Sequence, residues 1–139
     1  MAIKYHPNRG DILICDFSGT IPPEINKRRP VIVLTPRLRE KDRLLTVVPI
    51  STTAPKAPQR WHTKVALNLP HPYNSPIAWV KGDLLMTVSF ERLFMFSNGK
   101  DESGKRLYQS FSLTDEEMER VWECVFYGLG RADVLKKFP

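Results

Sequence analysis

The sequence predicts a mainly β domain with α (α+β class): a small, strongly curved sheet or barrel closed by one C-terminal amphipathic helix. Three observations carry that expectation. Short β-branched and aromatic runs recur through the first 90 residues, each stopped by Pro, Gly or a polar loop; one alternates with period two; and a single stripe at helical spacing follows. The length of 139 residues suits one domain, 1–139, rather than two.

Taken in chain order, Asp11–Phe17 reads Asp-Ile-Leu-Ile-Cys-Asp-Phe and ends at Ser18-Gly19, the signature of a strand and its turn. Val31–Leu34, started by Pro30 and stopped by Pro36, and Leu44–Val48, stopped by Pro49, are two more strands. His62–Leu69 sets Thr63, Val65, Leu67 and Leu69 against His62, Lys64, Ala66 and Asn68, as a strand with one buried face requires. Ile77–Val80 and Leu84–Val88 complete the strand set. Thr53–Arg60, with two prolines and two cations, is expected as a solvated loop, and Ser97–Arg106 as another. Thr114 and Glu117 form a capping-box pattern, and Asp115 and Glu116 place negative charge in the first turn of a helix. Its core face is Met118, Val121, Trp122, Val125, Phe126 and Leu129, and Gly128 or Gly130 ends it.

Lys plus Arg number 21 against 15 Asp plus Glu, a net charge of +6 that favours polyanionic partners. The excess is concentrated: residues 1–69 hold 12 basic and 5 acidic side chains, residues 70–139 hold 9 and 10. Cys15 and Cys124 each sit in an apolar stretch, suiting buried free thiols in a reducing compartment, so a cytoplasmic location is expected. No apolar run approaches the roughly 20 residues that span a bilayer, which leaves no membrane role.

His6, His62 and His71 are scattered, with no Cys-x-x-Cys or His-Glu-x-x-His spacing, so no metal and no other cofactor is expected. Phosphate-loop, dinucleotide and serine-elbow fingerprints are missing too. Two constellations remain. In Pro22-Pro23-Glu24-Ile25-Asn26-Lys27-Arg28-Arg29-Pro30, three cations and a carboxylate abut the mouth of an apolar strand, reading either as a solvated basic turn or as an anion site built on the guanidinium fork of Arg29. In Pro49-Ile50-Ser51-Thr52-Thr53, three hydroxyls follow a strand, either capping a turn or orienting a ligand.

The ordered set resembles the MazF/PemK/Kid family of toxin endoribonucleases. It comprises Arg9-Gly10-Asp11-Ile12, then Arg28-Arg29-Pro30-Val31-Ile32-Val33-Leu34, then Val48-Pro49-Ile50-Ser51, and covers residues 9–53 well. Further on, Val80-Lys81-Gly82-Asp83 and Glu91-Arg92-Leu93 look like the family's later strand and turn. There are departures: Pro22-Pro23-Glu24-Ile25 replaces Gly-x-Glu-Gln, Leu84 replaces a glutamine, and Pro70–Pro76 and Ser97–Arg106 read as insertions.

The resemblance implies an SH3-like, strongly bent β-barrel, a homodimer, that cuts single-stranded RNA without metal and is silenced by a cognate antitoxin with an acidic tail. It implies Arg29 as the phosphate-binding residue and Ser51 as the hydroxyl that orients the phosphate or the ribose 2′-OH. Glu24 and Asp83 compete for the role of base or of partner to Arg29. Arg28, Thr52, Lys56 and Arg60 would line the RNA path, and Trp61 or His62 would stack on a base or pack on the rim. The alternatives are a gyrase-binding toxin of the same fold, a catalytically inactive nucleic-acid-binding barrel, and an unrelated structural domain.

Overall fold

The computed structural model describes residues 2–137, and within them the β-rich pattern becomes β1 (Asp11–Asp16), β2 (Arg28–Val33), β3 (Leu44–Ser51), β4 (His62–Ala66), β5 (Ile77–Lys81), β6 (Met86–Ser89), β7 (Leu93–Phe94), β8 (Phe96–Lys100), β9 (Arg106–Gln109), β10 (Phe111–Ser112) and one helix, α1 (Asp115–Gly128). Short 3₁₀ turns occupy Gly82–Leu84, Phe90–Arg92 and Ala132–Lys137.

The main sheet runs β10-β1-β2-β3-β5-β4, with β6 also on β3 and β7 also on β1. Its ladders are antiparallel throughout. Two strands thus hold three partners each, because each passes from one partner to the next along its length. No ladder among the described residues joins β10 to β4, so the expected barrel is a mainly β sheet with one C-terminal helix, without closure.

Burial follows from this arrangement. Ile12, Ile32, Val48 and Ile50 face one core, where Met118, Val121 and Val125 of α1 meet Val65, Ala78 and Val80. Leu13, Cys15, Val31, Val33, Leu45 and Val47 face a second core, covered by Ile3, Val88, Phe90 and Leu93. With both faces covered, β1–β3 read as continuous apolar runs rather than alternating ones. β4 has one covered face and alternates as expected: Val65 is buried between exposed Lys64 and Ala66.

Several expectations need correction. Only Asp101–Lys105 of the expected loop Ser97–Arg106 is a turn: Ser97–Lys100 belongs to β8 and Arg106 opens β9, the two pairing as a hairpin bulged between Ser97 and Lys100. Its polarity hid it; Gly99 and Gly104, at φ 81° and 84°, supply the left-handed backbone the bulge and turn require. Pro49 does not end its strand, since it lies opposite Val31 and the strand continues to Ser51. The strand placed at Leu84–Val88 is Met86–Ser89, following the 3₁₀ turn. Leu129 is 55% exposed because it caps the helix C-terminus, and Cys124 takes its place in the buried stripe.

The capping box is present: Glu117 N–H donates to Thr114 Oγ1 (3.2 Å) and Thr114 N–H to Glu117 Oε1 (2.9 Å). Of the apolar runs Leu84–Val88 and Leu93–Phe96 and the helix stripe around Trp122 and Phe126, from which a homodimer is also expected, Val88, Leu93 and Phe96 are buried within the chain, while Leu84, Leu85, Met86, Phe94, Met95, Trp122 and Phe126 are half-buried. Both cysteines are free and buried, and burial pushes the Cys15 thiol up to about 12 and the Cys124 thiol to about 11.

Candidate nucleic-acid interface

The loop between β1 and β2 is tied at its base and presents Arg29 at its exit. Phe17 N–H donates to the Lys27 carbonyl (2.9 Å), and Lys27 adopts the left-handed region at φ 65° to turn the chain into β2. Arg29 is half-buried, and its Nε donates to the Asn26 carbonyl at 3.1 Å. Among the described residues its two terminal nitrogens have no hydrogen-bond partner. The fork is therefore held at its root and open at its tip.

Glu24 does not pair with Arg29. Its Oε1 accepts from Ile21 N–H at 2.6 Å, closing an exposed turn. The ion pairs among the described residues, Arg43–Glu91 and Arg131–Asp133, involve neither Glu24 nor Asp83.

Ladder register brings Ser51 to the same place. Val31 pairs with Pro49, and two residues further out along each strand lie Arg29 and Ser51. By strand alternation Arg29 shares a face of β2 with Val31, and Ser51 the same face of β3 with Pro49, so both stand at the strand ends just beyond the last pair of that ladder. Ser51 pairs in turn with Trp79, and Trp79 with Lys64, whose Nζ stands 5.6 Å from the indole centroid. One row later His62 pairs with Lys81. Since paired residues share a face, Arg29, Ser51, Trp79, Lys64, Lys81 and His62 make one basic, aromatic surface on the side turned away from α1. Ser51 Oγ accepts from Thr53 N–H at 3.0 Å, so the hydroxyl caps its turn while its own proton remains to be donated. Thr52 and Lys56 are exposed in the loop beyond.

At the far end of this surface, Gln59 N–H donates to His62 Nδ1 at 3.0 Å, which puts the proton of the neutral imidazole on Nε2. Burial and then the Lys81 ammonium hold the His62 pKa below its ordinary value, while Asp83 pulls it back up. Trp61 is half-buried, edge-on to His62 with centroids 5.9 Å apart, and its carbonyl accepts from Gly82 N–H at 2.8 Å. Asp83 follows in the 3₁₀ turn, exposed at the rim.

The remaining cations lie elsewhere. Arg60 donates from Nη1 to the Tyr127 hydroxyl (3.3 Å) and stands over that ring, tied to the helix end. Arg28 pairs with Asp16 in the ladder, covers the Phe94 ring at 4.6 Å, and by strand alternation faces away from Arg29.

Sequence reasoning missed Trp79, Lys64 and Lys81. The signal lay in Ile77-Ala-Trp-Val-Lys81, where buried Ala78 and Val80 alternate with an outward tryptophan and lysine. Among the described residues, no group of three or more His, Cys, Asp or Glu is placed to hold a metal ion.

Residues 8–125 match the family of PemK-like, MazF-like toxins of type II toxin-antitoxin systems. The chain is 33% identical over 114 residues to the uncharacterized protein YifN of Escherichia coli (strain K12), a match covering 67% of this chain and 75% of that one. An uncharacterized protein of Haemophilus influenzae is also 33% identical, over 109 residues, covering 68% and 74%. Among solved structures, MazF from Deinococcus radiodurans has a TM-score of 0.61 at 19% identity, covering 91% of this chain and 99% of that one. A mycobacterial endoribonuclease, solved in complex with its cognate antitoxin, has a TM-score of 0.54 at 20% identity, covering 90% and 96%. At those identities the two structures show a shared fold.

Proposed function

The chain belongs to the PemK-like, MazF-like family of type II toxin-antitoxin toxins, and from that premise we propose that it is an endoribonuclease toxin cutting single-stranded RNA by attack of a ribose 2′-OH on the adjacent phosphorus. The observation that carries the reading is the open guanidinium fork of Arg29, at the end of β2 that adjoins the end of β3 carrying Ser51.

In this reaction the 2′-oxygen forms a bond to phosphorus, its proton goes to a base, and the bond to the 5′-oxygen breaks, that oxygen taking up a proton. The products are a 2′,3′-cyclic phosphate and a 5′-OH. Negative charge develops on the non-bridging oxygens, where Arg29 meets it with two donors whose orientation the Asn26 carbonyl has already restricted. Guanidinium stays charged at neutral pH, so Arg29 stabilises rather than protonates. Ser51 donates its free proton to the same phosphate.

The base is one of the two exposed carboxylates, Glu24, whose Oε1 accepts from Ile21 N–H while its other oxygen stays open, or Asp83 at the rim. The Nδ1 lone pair of His62 is occupied by Gln59 N–H, so His62 serves as an Nε2–H donor to the RNA. Trp79 and Trp61 offer rings for stacking, and Lys64, Lys81 and Lys56 meet backbone phosphates. A toxin that poisons gyrase would need neither the Arg29 fork nor Ser51.

We further propose that the protein acts in the cytoplasm as a homodimer and is silenced when the acidic tail of a cognate antitoxin covers this basic face. The chemistry calls on Arg29, Ser51 and one carboxylate, which takes the 2′-OH proton, while water protonates the leaving 5′-oxygen. Incubating the protein with a long RNA in EDTA and mapping the ends tests it. The expected products carry 5′-OH and 2′,3′-cyclic phosphate ends and an all-DNA copy stays intact; a cut DNA or a 5′-phosphate would overturn the mechanism.

A further inference from the structure

At the other end of β2 and β3 from Arg29 lies a second basic concavity of about 630 Å³. The run of β2 from Arg29 to Val33 alone separates the two by about 13 Å at the usual strand rise, and the pocket begins beyond Val33, in the connection to β3. We infer that this pocket is a nucleotide-binding subsite, taking a phosphate group on its cations and a planar base against its rings. The inference holds whether or not the Arg29 end cleaves RNA.

Four cations line it, Lys4, Arg37, Lys41 and Arg43, against one lining carboxylate, Asp42. Among the described residues only Arg43 has an ion-pair partner, Glu91 at 3.8 Å, and both of those side chains are largely solvated. Lys4, Arg37 and Lys41 line the hollow with no ion-pair partner among the described residues and outnumber Asp42, so its wall carries net positive charge that attracts an external anion.

The second component is aromatic. Tyr5, His6 and Phe90 line the same hollow. His6 Nδ1 donates to the Pro7 carbonyl at 2.6 Å, which holds the imidazole edge-on to Phe90 with centroids 5.6 Å apart. Tyr5 is 48% exposed, leaving ring surface free for stacking. Burial and Asp11 push its phenol above the ordinary value, so it remains a neutral donor.

The walls are braced rather than loose. Phe90 N–H donates to the Arg43 carbonyl (3.0 Å), Ile3 N–H to the Leu93 carbonyl (2.9 Å) and Lys41 N–H to the Leu38 carbonyl (3.0 Å). Three chain segments are thereby pinned around the cavity. A bare inorganic anion would use the cations alone; phosphate joined to a flat ring uses both components. Such a unit comes either as a free nucleotide or as part of a single-stranded RNA reaching past the Arg29 end.

The test is titration of the ¹⁵N-labelled full chain with AMP, inorganic phosphate and adenosine, read by amide shifts. AMP should move residues 4–6, 37–43 and 90, binding tighter than phosphate or adenosine. The double variant Arg37→Gln/Lys41→Gln, one exposed and one half-buried side chain, should lose about tenfold in AMP affinity, and Tyr5→Ala should erase the preference for AMP over phosphate. Phosphate binding as tightly as AMP, shifts confined to residues near Arg29 and Ser51, or no shifts would each overturn the inference. So would a hexaglutamate peptide moving these signals where AMP does not. Fluorescein-labelled 2′-O-methyl oligoribonucleotide, which cannot be cleaved, separates the sources. Weaker binding by the double variant identifies an RNA strand, and unchanged binding identifies a free nucleotide.

Discussion

Gly128 of α1 packs so closely on Asp83 that a Cβ at position 128 would stand 2.7 Å from the Asp83 Cα. The contact is reciprocal one residue back: a Cβ on Gly82 would lie 2.5 Å from the Cys124 carbonyl carbon and oxygen. Helix backbone and turn backbone touch without side chains between them, and this junction sets where Asp83 stands relative to His62.

Gly128→Ala therefore has an unusual sign. Inside a helix such a change ordinarily stabilises by about 0.5–1 kcal/mol, whereas here the added methyl meets rigid backbone and overpacking costs of about 1–3 kcal/mol apply. Thermal or urea unfolding should show net destabilisation, and Gly82→Ala the same. A more stable Gly128→Ala protein would mean that α1 does not rest on the turn.

Trp79→Ala should weaken RNA binding by about 1–3 kcal/mol, the cost of one lost base-stacking platform, with the fold retained because Trp79 is only half-buried. The change should fall on KM more than on kcat, and Trp79→Phe should recover most of it. Steady-state kinetics with a short RNA checks this, and an unchanged KM would remove the indole from the RNA path.

The imidazole of His62 should titrate below the ordinary histidine value in an NMR pH series, since burial and Lys81 both disfavour its charged form. Lys81→Met should raise that pKa, and Asp83→Asn should lower it further. Because the folded-state pKa is depressed, the associated stability is present above about pH 6.5 and is lost as pH falls toward the folded value. Failure of Asp83→Asn to move the His62 titration would separate the two residues in space.

Much of this was legible from local pattern. The Thr114 cap, the stripe from Met118 to Phe126 and the alternation around Val65 each depend on residues within one turn or one strand, and each matches the structure. Leu129 broke the stripe because it lies at the cap, beyond the last residue packed on the sheet. The β8–β9 hairpin is illegible because β8 beyond Phe96 is polar and β9 is exposed on both sides, which leaves no alternation to read. Arg29 and Ser51 were singled out from ordered motifs, but the partners of Ser51 are not neighbours in sequence. Trp79 and Lys64 reach it only through ladder register, which no window along the chain contains. Glu24 illustrates the converse, a carboxylate four residues before Arg28 whose structural partner is the nearby Ile21 backbone.

The contrast between adjacent arginines tests the central claim most directly. Arg29 has open terminal donors on the Ser51 face, whereas Arg28 lies over Phe94 on the other. Single-turnover cleavage of one RNA in EDTA should fall by about 100-fold or more in Arg29→Ala, as for loss of a donor to a developing oxyanion, and by no more than a few-fold in Arg28→Ala. Equal losses in the two variants would reduce Arg29 to one part of a basic surface and contradict the account.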